Sequence, residues 1–241
     1  MSPPAESARP AAGAPPVIEE VLPGVVGVEA FADDPAATLF PEEEALLTRA
    51  VDKRRREFTT VRACARIALG KLGLPPAPIL PGPRGAPIWP SGIVGSMTHC
   101  DGYRACALAR TTEVLTLGID AEPNSPLPDG VLATVSDAAE RAWIAELARA
   151  DPRVSWDRLL FSAKESVYKA WFPLTGRWLG FEDATLTVQP DQRAFNARLL
   201  VAGPVSGFTG RWTVSRGLVV TAICVRSRRG HPAEAEPRII L

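Results

Sequence analysis

Val114-Leu115-Thr116-Leu117-Gly118-Ile119 runs straight into Asp120-Ala121-Glu122-Pro123. The apolar run reads as a buried strand, and the proline after the second acid marks where it gives out. In an extended chain alternate side chains share a face, so Asp120 and Glu122 project together with Cβ atoms about 7 Å apart. Glu165 follows Asp120 by 45 positions, inside Leu160-Phe161-Ser162-Ala163-Lys164-Glu165-Ser166-Val167-Tyr168-Lys169-Ala170-Trp171. At about 100° per residue, Leu160, Ala163, Val167, Ala170 and Trp171 form one apolar stripe. Glu165 and Lys169 lie nearly opposite that stripe, and Lys164 sits on its flank. A buried strand carrying two acids to an edge, followed by an amphipathic helix, sets the fold class as α+β.

The same mixture extends in both directions. Upstream, Ile93–Met97 and Tyr103–Ala109 read as strands, and the second is expected to form a hairpin with 114–119 across Arg110–Glu113. Pro41-Glu42-Glu43-Glu44 opens a helix, since proline suits the first turn and acids suit the positive end of the dipole. That helix is expected to run to about Leu72, where Gly73 and Pro75 stop it. Residues 75–92 form a loop dense in proline and glycine. Downstream, Ser136 is the expected N-cap of a helix to about Arg149, with a second helix over 156–171. Strands follow near 184–188, 197–201, 210–215 and 218–225. Residues 1–16, rich in Pro and Ala, are expected to be a disordered arm, and residues 227–241 a loose tail.

Composition excludes several classes. The chain has 241 residues, with 27 Lys plus Arg against 27 Asp plus Glu, so no global charge draws it to nucleic acid or an anionic membrane. Four cysteines without a CxxC pair and two histidines argue against zinc. No basic start followed by an apolar run suggests a signal peptide, and no stretch approaches the ~18 apolar residues of a membrane span. These features predict a cytoplasmic protein with reduced thiols.

Several groups of residues could carry chemistry. Asp120 and Glu122 could share one divalent cation, and magnesium favours one or two carboxylates completed by waters and phosphate oxygens. Alone, the same pair describes two solvated acids. Glu165 could accept a proton or bind the metal, with Lys164 and Lys169 holding phosphate oxygens. Alone, Glu165 and Lys169 are an exposed helical pair worth a few tenths of a kcal/mol. Ser96, Thr98 and His99 at a strand end could contact a phosphate, although a lone histidine is more often structural. Arg54 and Arg62, about 80° apart on one helix, could lean towards one anion. The run Lys53-Arg54-Arg55-Arg56 could equally be a solvated face or a nucleic-acid contact.

Taken in order, Val94-Gly95-Ser96-Met97-Thr98-His99-Cys100, Gly118-Ile119-Asp120-Ala121-Glu122 and the Phe161–Ala170 string resemble the Sfp-type 4′-phosphopantetheinyl transferases. Arg55-Arg56-Glu57-Phe58 and Trp178-Leu179-Gly180-Phe181-Glu182-Asp183-Ala184 look like the EntD branch, including actinobacterial members that serve polyketide and peptide synthases. The resemblance implies transfer of the phosphopantetheine arm of coenzyme A to a serine of an apo acyl or peptidyl carrier protein, releasing adenosine 3′,5′-bisphosphate. It implies two similar halves, 17–119 and 120–226, in pseudo-twofold arrangement around coenzyme A, in a monomer. Carried over, Asp120 and Glu122 bind Mg²⁺ with the Ala121 carbonyl near the ion, and Glu165 either completes the metal site or deprotonates the carrier serine, directly or through water. Lys169 pairs with the attacked phosphate, supported by Lys164. Arg54, Arg62 and His99 hold the 3′-phosphate end, with Ser96 or Thr98 nearby. Relatives place a lysine in the Gly-rich loop where this chain has Pro81, so Arg84 is expected to take that contact.

Two other classes fit parts of the pattern. One is a Mg²⁺-dependent hydrolase of nucleotide pyrophosphates. The other is a nucleic-acid module using Lys53–Arg66, against which stand the zero net charge and the absence of an aromatic stacking platform.

Overall fold

The computed structural model describes residues 16–227. Except for Pro16 and Ser227, the expected arm and tail lie outside the described residues. Two antiparallel sheets with packed helices make the fold α+β, as expected. Strands β1 (Val26–Ala30), β2 (Ile93–Cys100) and β3 (Tyr103–Arg110) form the first sheet, in order β1-β3-β2. Strands β4 (Val114–Pro123), β5 (Ala184–Gln189), β6 (Ala194–Leu199), β7 (Gly207–Ser215) and β8 (Leu218–Arg226) form the second, in order β4-β8-β7-β6-β5.

The expected hairpin across Arg110–Glu113 does not form. Both edges of β3 are already taken, by β1 and by β2, and β4 pairs with β8 instead. The tight turn in this region is Asp101-Gly102, where Gly102 adopts φ 72°; such Asp-Gly pairs favour two-residue hairpins. β4 therefore crosses from one sheet to the other, and its free edge faces β2. Two hydroxyls bridge that seam. Ser96 Oγ accepts from the Ile119 N–H at 3.1 Å, and Thr98 Oγ1 accepts from the Ala121 N–H at 3.1 Å. Both side chains are buried, so the bonds satisfy edge amides that would otherwise lose water without a partner.

Helix α6 (Trp156–Thr175) lies across β4 and β8. The close approach depends on Gly118: a Cβ there would overlap the Ser166 carbonyl oxygen and the Ala170 nitrogen. Thr116 Oγ1 donates to the Ala170 carbonyl at 2.7 Å, and the Ser162 and Ser166 hydroxyls bond that of Thr221. The apolar stripe expected on this helix is fully buried at Leu160, Ala163, Val167, Ala170 and Trp171. The helix outlasts the expected end at 171, carrying Pro173 in its last turn, and stops at Gly176 with φ 64°.

The long helix expected over 41–72 is broken. α2 (Pro41–Glu44) passes through a 3-10 turn at Ala45–Leu47, and α3 (Asp52–Lys71) starts after an extended Val51. Glu43 explains the break. It is fully buried, accepts from the Phe40 and Ile79 N–H groups, and pairs with Arg66 at 3.0 Å. That anchor packs α2 against the side of α3 and the Ile79 segment instead of in line with α3.

Further along, α4 (Val131–Val135) precedes α5 (Ala138–Ala150), whose N-cap is Asp137 rather than Ser136. Asp137 Oδ1 accepts from the Glu140 N–H at 2.7 Å, and Glu140 Oε2 accepts from the Asp137 N–H at 2.8 Å, a reciprocal capping box. β6 starts three residues before its expected position. Three of the α and β elements had no expectation: β1, α4, and α1 (Val17–Val21), whose first N–H groups bond Glu29. Arg226 closes β8 and donates to Pro23 O at 3.1 Å.

Candidate active site

The two acids of β4 meet the polar face of α6. Lys169 Nζ lies 2.8 Å from Asp120 Oδ1 and donates to the Ile119 carbonyl at 3.0 Å. Thr98 Oγ1 also reaches Asp120 Oδ1, at 3.3 Å. Asp120 is 5% exposed, yet its Oδ2 is buried without a partner. Glu122 Oε2 is paired with Arg158 Nη1 at 3.1 Å. Burial, and secondarily the Asp120 charge, push the Glu122 carboxyl up to about 7 despite that arginine. Burial raises the Glu165 carboxyl as well; Asp120 adds to the effect and Lys169 opposes it. Glu165 and Asp120 thus face one field although 45 positions separate them. Ala121 gives its N–H to Thr98, and in a strand the carbonyl shares that edge. It is the edge Lys169 reaches at Ile119.

The β2–β4 seam brings His99 and Cys100 beside these acids. Arg54 Nη1 lies 2.8 Å from His99 Nε2, and Glu57 Oε2 stands 3.8 Å from the same nitrogen. Burial lowers the His99 pKa; Arg54 lowers it further, Glu57 opposes, and the Lys169 charge adds a smaller push down. The imidazole is therefore neutral at neutral pH, and Arg54 donates to it. Asp120 and Glu122 both act on Cys100, whose thiol is raised to about 12, chiefly by burial.

Four expected contacts fall elsewhere. Lys164 is not in the cluster: its ammonium is buried, 2.8 Å from Glu140 Oε2 and 2.9 Å from the Phe181 carbonyl. Its flank position turns it towards α5 rather than towards β4. Arg62 does not lean towards Arg54's ligand. Its Nε donates to Ile79 O at 3.0 Å and stands 3.6 Å from Glu43, with the guanidinium over the Phe58 ring. Burial holds its pKa down to about 10. Ser96 is in the seam, out of reach of solvent. Arg84, at φ 55°, lies over the Trp178 ring at 5.4 Å, beside Tyr168. Tyr168 and Trp178 pack with their rings tilted by 55° and centroids 4.9 Å apart, and Trp178 is 57% exposed.

The three acids do not stand as a closed ligand set. Among the described residues no group of three His, Cys, Asp or Glu side chains is arranged to hold a metal ion. Each β4 carboxylate has a side-chain cation beside it, Lys169 for Asp120 and Arg158 for Glu122. Sequence reasoning missed Arg158, although its spacing of seven before Glu165 places both on one helix face. It also missed Glu57 and the Tyr168–Trp178 pair.

Comparison with known proteins agrees with this geometry. Residues 42–109 match the 4'-phosphopantetheinyl transferase N-terminal domain, and residues 116–223 match the 4'-phosphopantetheinyl transferase superfamily. The chain is 62% identical to 4'-phosphopantetheinyl transferase Svp of Streptomyces mobaraensis over 209 residues, covering 84% of this chain and 85% of the relative. It is 51% identical to 4'-phosphopantetheinyl transferase PptT of Mycobacterium tuberculosis over 223 residues, covering 86% and 97%. The corresponding figures for 4'-phosphopantetheinyl transferase Npt of Nocardia iowensis are 47% over 222 residues, 86% and 99%. The chain belongs to the 4′-phosphopantetheinyl transferase superfamily.

As a phosphopantetheinyl transferase it is an enzyme of the holo-carrier-protein synthase type, using coenzyme A as substrate and carrier proteins as acceptors. Neither the hydrolase reading nor the nucleic-acid module gains support. Among the described residues no helix is long and apolar enough to cross a membrane. The transferase's donor set also fits a hard divalent cation. It offers carboxylate and carbonyl oxygens, and an unpartnered buried oxygen on Asp120 is the atom such an ion would satisfy.

Proposed function

We propose that this transferase works with Mg²⁺ held by Asp120, Glu122 and Glu165, with the Ala121 carbonyl beside it. When bound, the ion supplies charge neutralisation on the diphosphate of coenzyme A. The single observation that carries this reading is Asp120, with one oxygen on Lys169 and the other buried and unpartnered. Lys169 holds the phosphate that is attacked. Glu165 takes the proton from the carrier serine; burial raises its proton affinity and so makes it a stronger base than a solvated carboxylate. The serine Oγ–P bond forms as the bond from phosphorus to adenosine 3′,5′-bisphosphate breaks, and the displaced phosphate carries the departing charge.

Arg54 and His99 hold the 3′-phosphate end. Their 2.8 Å contact places a guanidinium and a neutral imidazole donor side by side. The halves 17–119 and 120–226 are taken as the two lobes of a monomer in the cytoplasm. The acceptors are acyl and peptidyl carrier domains of polyketide and peptide synthases. The test is mass spectrometry of a panel of apo carriers incubated with enzyme, coenzyme A and Mg²⁺. A gain of one phosphopantetheine that disappears on chelation is expected. Equal labelling without divalent ions would remove the metal.

A further inference from the structure

Arg158 stands in the first turn of α6, seven residues before Glu165 and eleven before Lys169. Those intervals place all three within about 20° of one line along the helix. The line faces β4, where Arg158 meets Glu122 as Lys169 meets Asp120. The two pairings differ in one respect. Lys169 reaches one strand, whereas the arginine fork serves three acceptors on consecutive parts of the chain. Nη1 donates to Glu122 Oε2 at 3.1 Å, Nε to Ser125 O at 3.0 Å and Nη2 to Pro126 O at 2.9 Å.

The same stretch is fastened on either side. The Leu127 N–H donates to Asp157 Oδ2 at 2.8 Å, Asn124 Nδ2 donates to Arg153 O at 2.8 Å, and Asn124 Oδ1 accepts from the Ser155 N–H at 2.9 Å. Only Oε2 of Glu122 is bonded among the described residues, so a ligand can take Oε1 without breaking the pair. The two carbonyls hold the guanidinium plane, so the Nη1 N–H that meets Glu122 is aimed at Oε2 in a fixed direction.

We propose that Arg158 is a positioning residue: it sets the direction of the Glu122 carboxylate and ties the β4 edge to the loop at 124–127, so that acid and loop move as one body. This rests on the reading of Asp120 and Glu122 as cation ligands. Groups that orient a metal's ligands change affinity by about 10–100-fold when lost.

The experiment measures Mn²⁺ binding to the full chain by electron paramagnetic resonance, together with hydrogen exchange of the 124–130 segment. It compares the native enzyme with Asp120→Asn, Arg158→Met and Arg158→Lys. The native enzyme is expected to bind Mn²⁺ and Asp120→Asn to lose it. Arg158→Met should weaken binding about tenfold or more and speed exchange at Leu127. Arg158→Lys keeps the charge and stem but cannot serve three acceptors from one plane, so it should speed exchange with an intermediate affinity. Mn²⁺ binding to Arg158→Met as tight as native, or tighter, would make the arginine a competitor for Glu122 and overturn the proposal. So would unchanged exchange in both Arg158 variants. If the native enzyme bound no Mn²⁺ at all, the cation-site reading would fail first and this inference with it.

Discussion

Replacing Lys164 by methionine separates two roles that the sequence offered for this residue. Methionine keeps the stem's volume and removes the ammonium. In the structure that ammonium is buried, with 4% of the side chain exposed, against a fully buried Glu140. Losing one member of a buried pair destabilises by about 3–5 kcal/mol, because the other charge is left without compensation. Here the lower end applies. Glu140 keeps two backbone donors, from Leu186 at 2.8 Å and Asp137 at 2.8 Å. The Phe181 carbonyl, bonded to Lys164 at 2.9 Å, loses a donor worth about 1 kcal/mol. The expected loss is therefore about 3–4 kcal/mol, a large share of the 5–15 kcal/mol typical of a whole domain. Urea unfolding followed by fluorescence of Trp143, Trp156 and Trp171 reads it directly. Adding Glu140→Gln to Lys164→Met should recover part of the loss, since a neutral amide no longer carries a stranded charge. Transfer rate per folded molecule should stay near native. If Lys164→Met lost less than about 1 kcal/mol while the KM for coenzyme A rose steeply, the ammonium would be a phosphate ligand and the structural assignment would be wrong.

Other outcomes follow from the same contacts. Gly118→Ala should push α6 off β4 and destabilise by about 1–3 kcal/mol, with transfer falling more than stability explains; native turnover in a thermally weakened variant would contradict the link. Thr98→Val removes the acceptor of the Ala121 N–H and one donor to Asp120, so about 1–3 kcal/mol should be lost, measurable by denaturant unfolding. Glu165→Gln should nearly abolish carrier loading while coenzyme A still binds by calorimetry; unchanged loading would remove Glu165 from the chemistry. For pH the sign is fixed by Glu122. Its carboxyl is raised to about 7, so the stability it gives as an acid is complete below about 4.5 and is lost as pH rises through 7. A divalent cation restores it, so the gain in Tm on adding Mg²⁺ should be larger at pH 8 than at pH 6.

The parts that were legible share one property: a period that the chain writes locally. The β4 run with Asp120 and Glu122, and the α6 stripe at 160, 163, 167, 170 and 171, need only the pleat and the helical turn to be read. The side chains that sequence placed wrongly are those whose partner is remote. Lys164 and Lys169 are five residues apart on one helix, yet one meets Glu140 of α5 and the other Asp120 of β4. Nothing in the string 160–171 distinguishes them, because the choice depends on which neighbour packs against each flank. Arg62 shows the same thing. Its angle from Arg54 was right, but Glu43 and the Ile79 carbonyl, 19 residues before and 17 after it, took its guanidinium.

The failed hairpin is a case of the same competition at the level of strands. A short link between two strand-like runs favours pairing them, and only the capture of both β3 edges by β1 and β2 forbids it. That exclusion is what frees one edge of β4. The seam hydroxyls of Ser96 and Thr98 then close the gap without closing the ladder, and Thr98 uses the same oxygen to touch Asp120. So the feature that defeated local reading is also the one that builds the site. A β4 paired to β3 would put its edge carbonyls and amides into a ladder. A β4 held to β2 by two side chains leaves the Ile119 carbonyl open to Lys169, with Asp120 beside it.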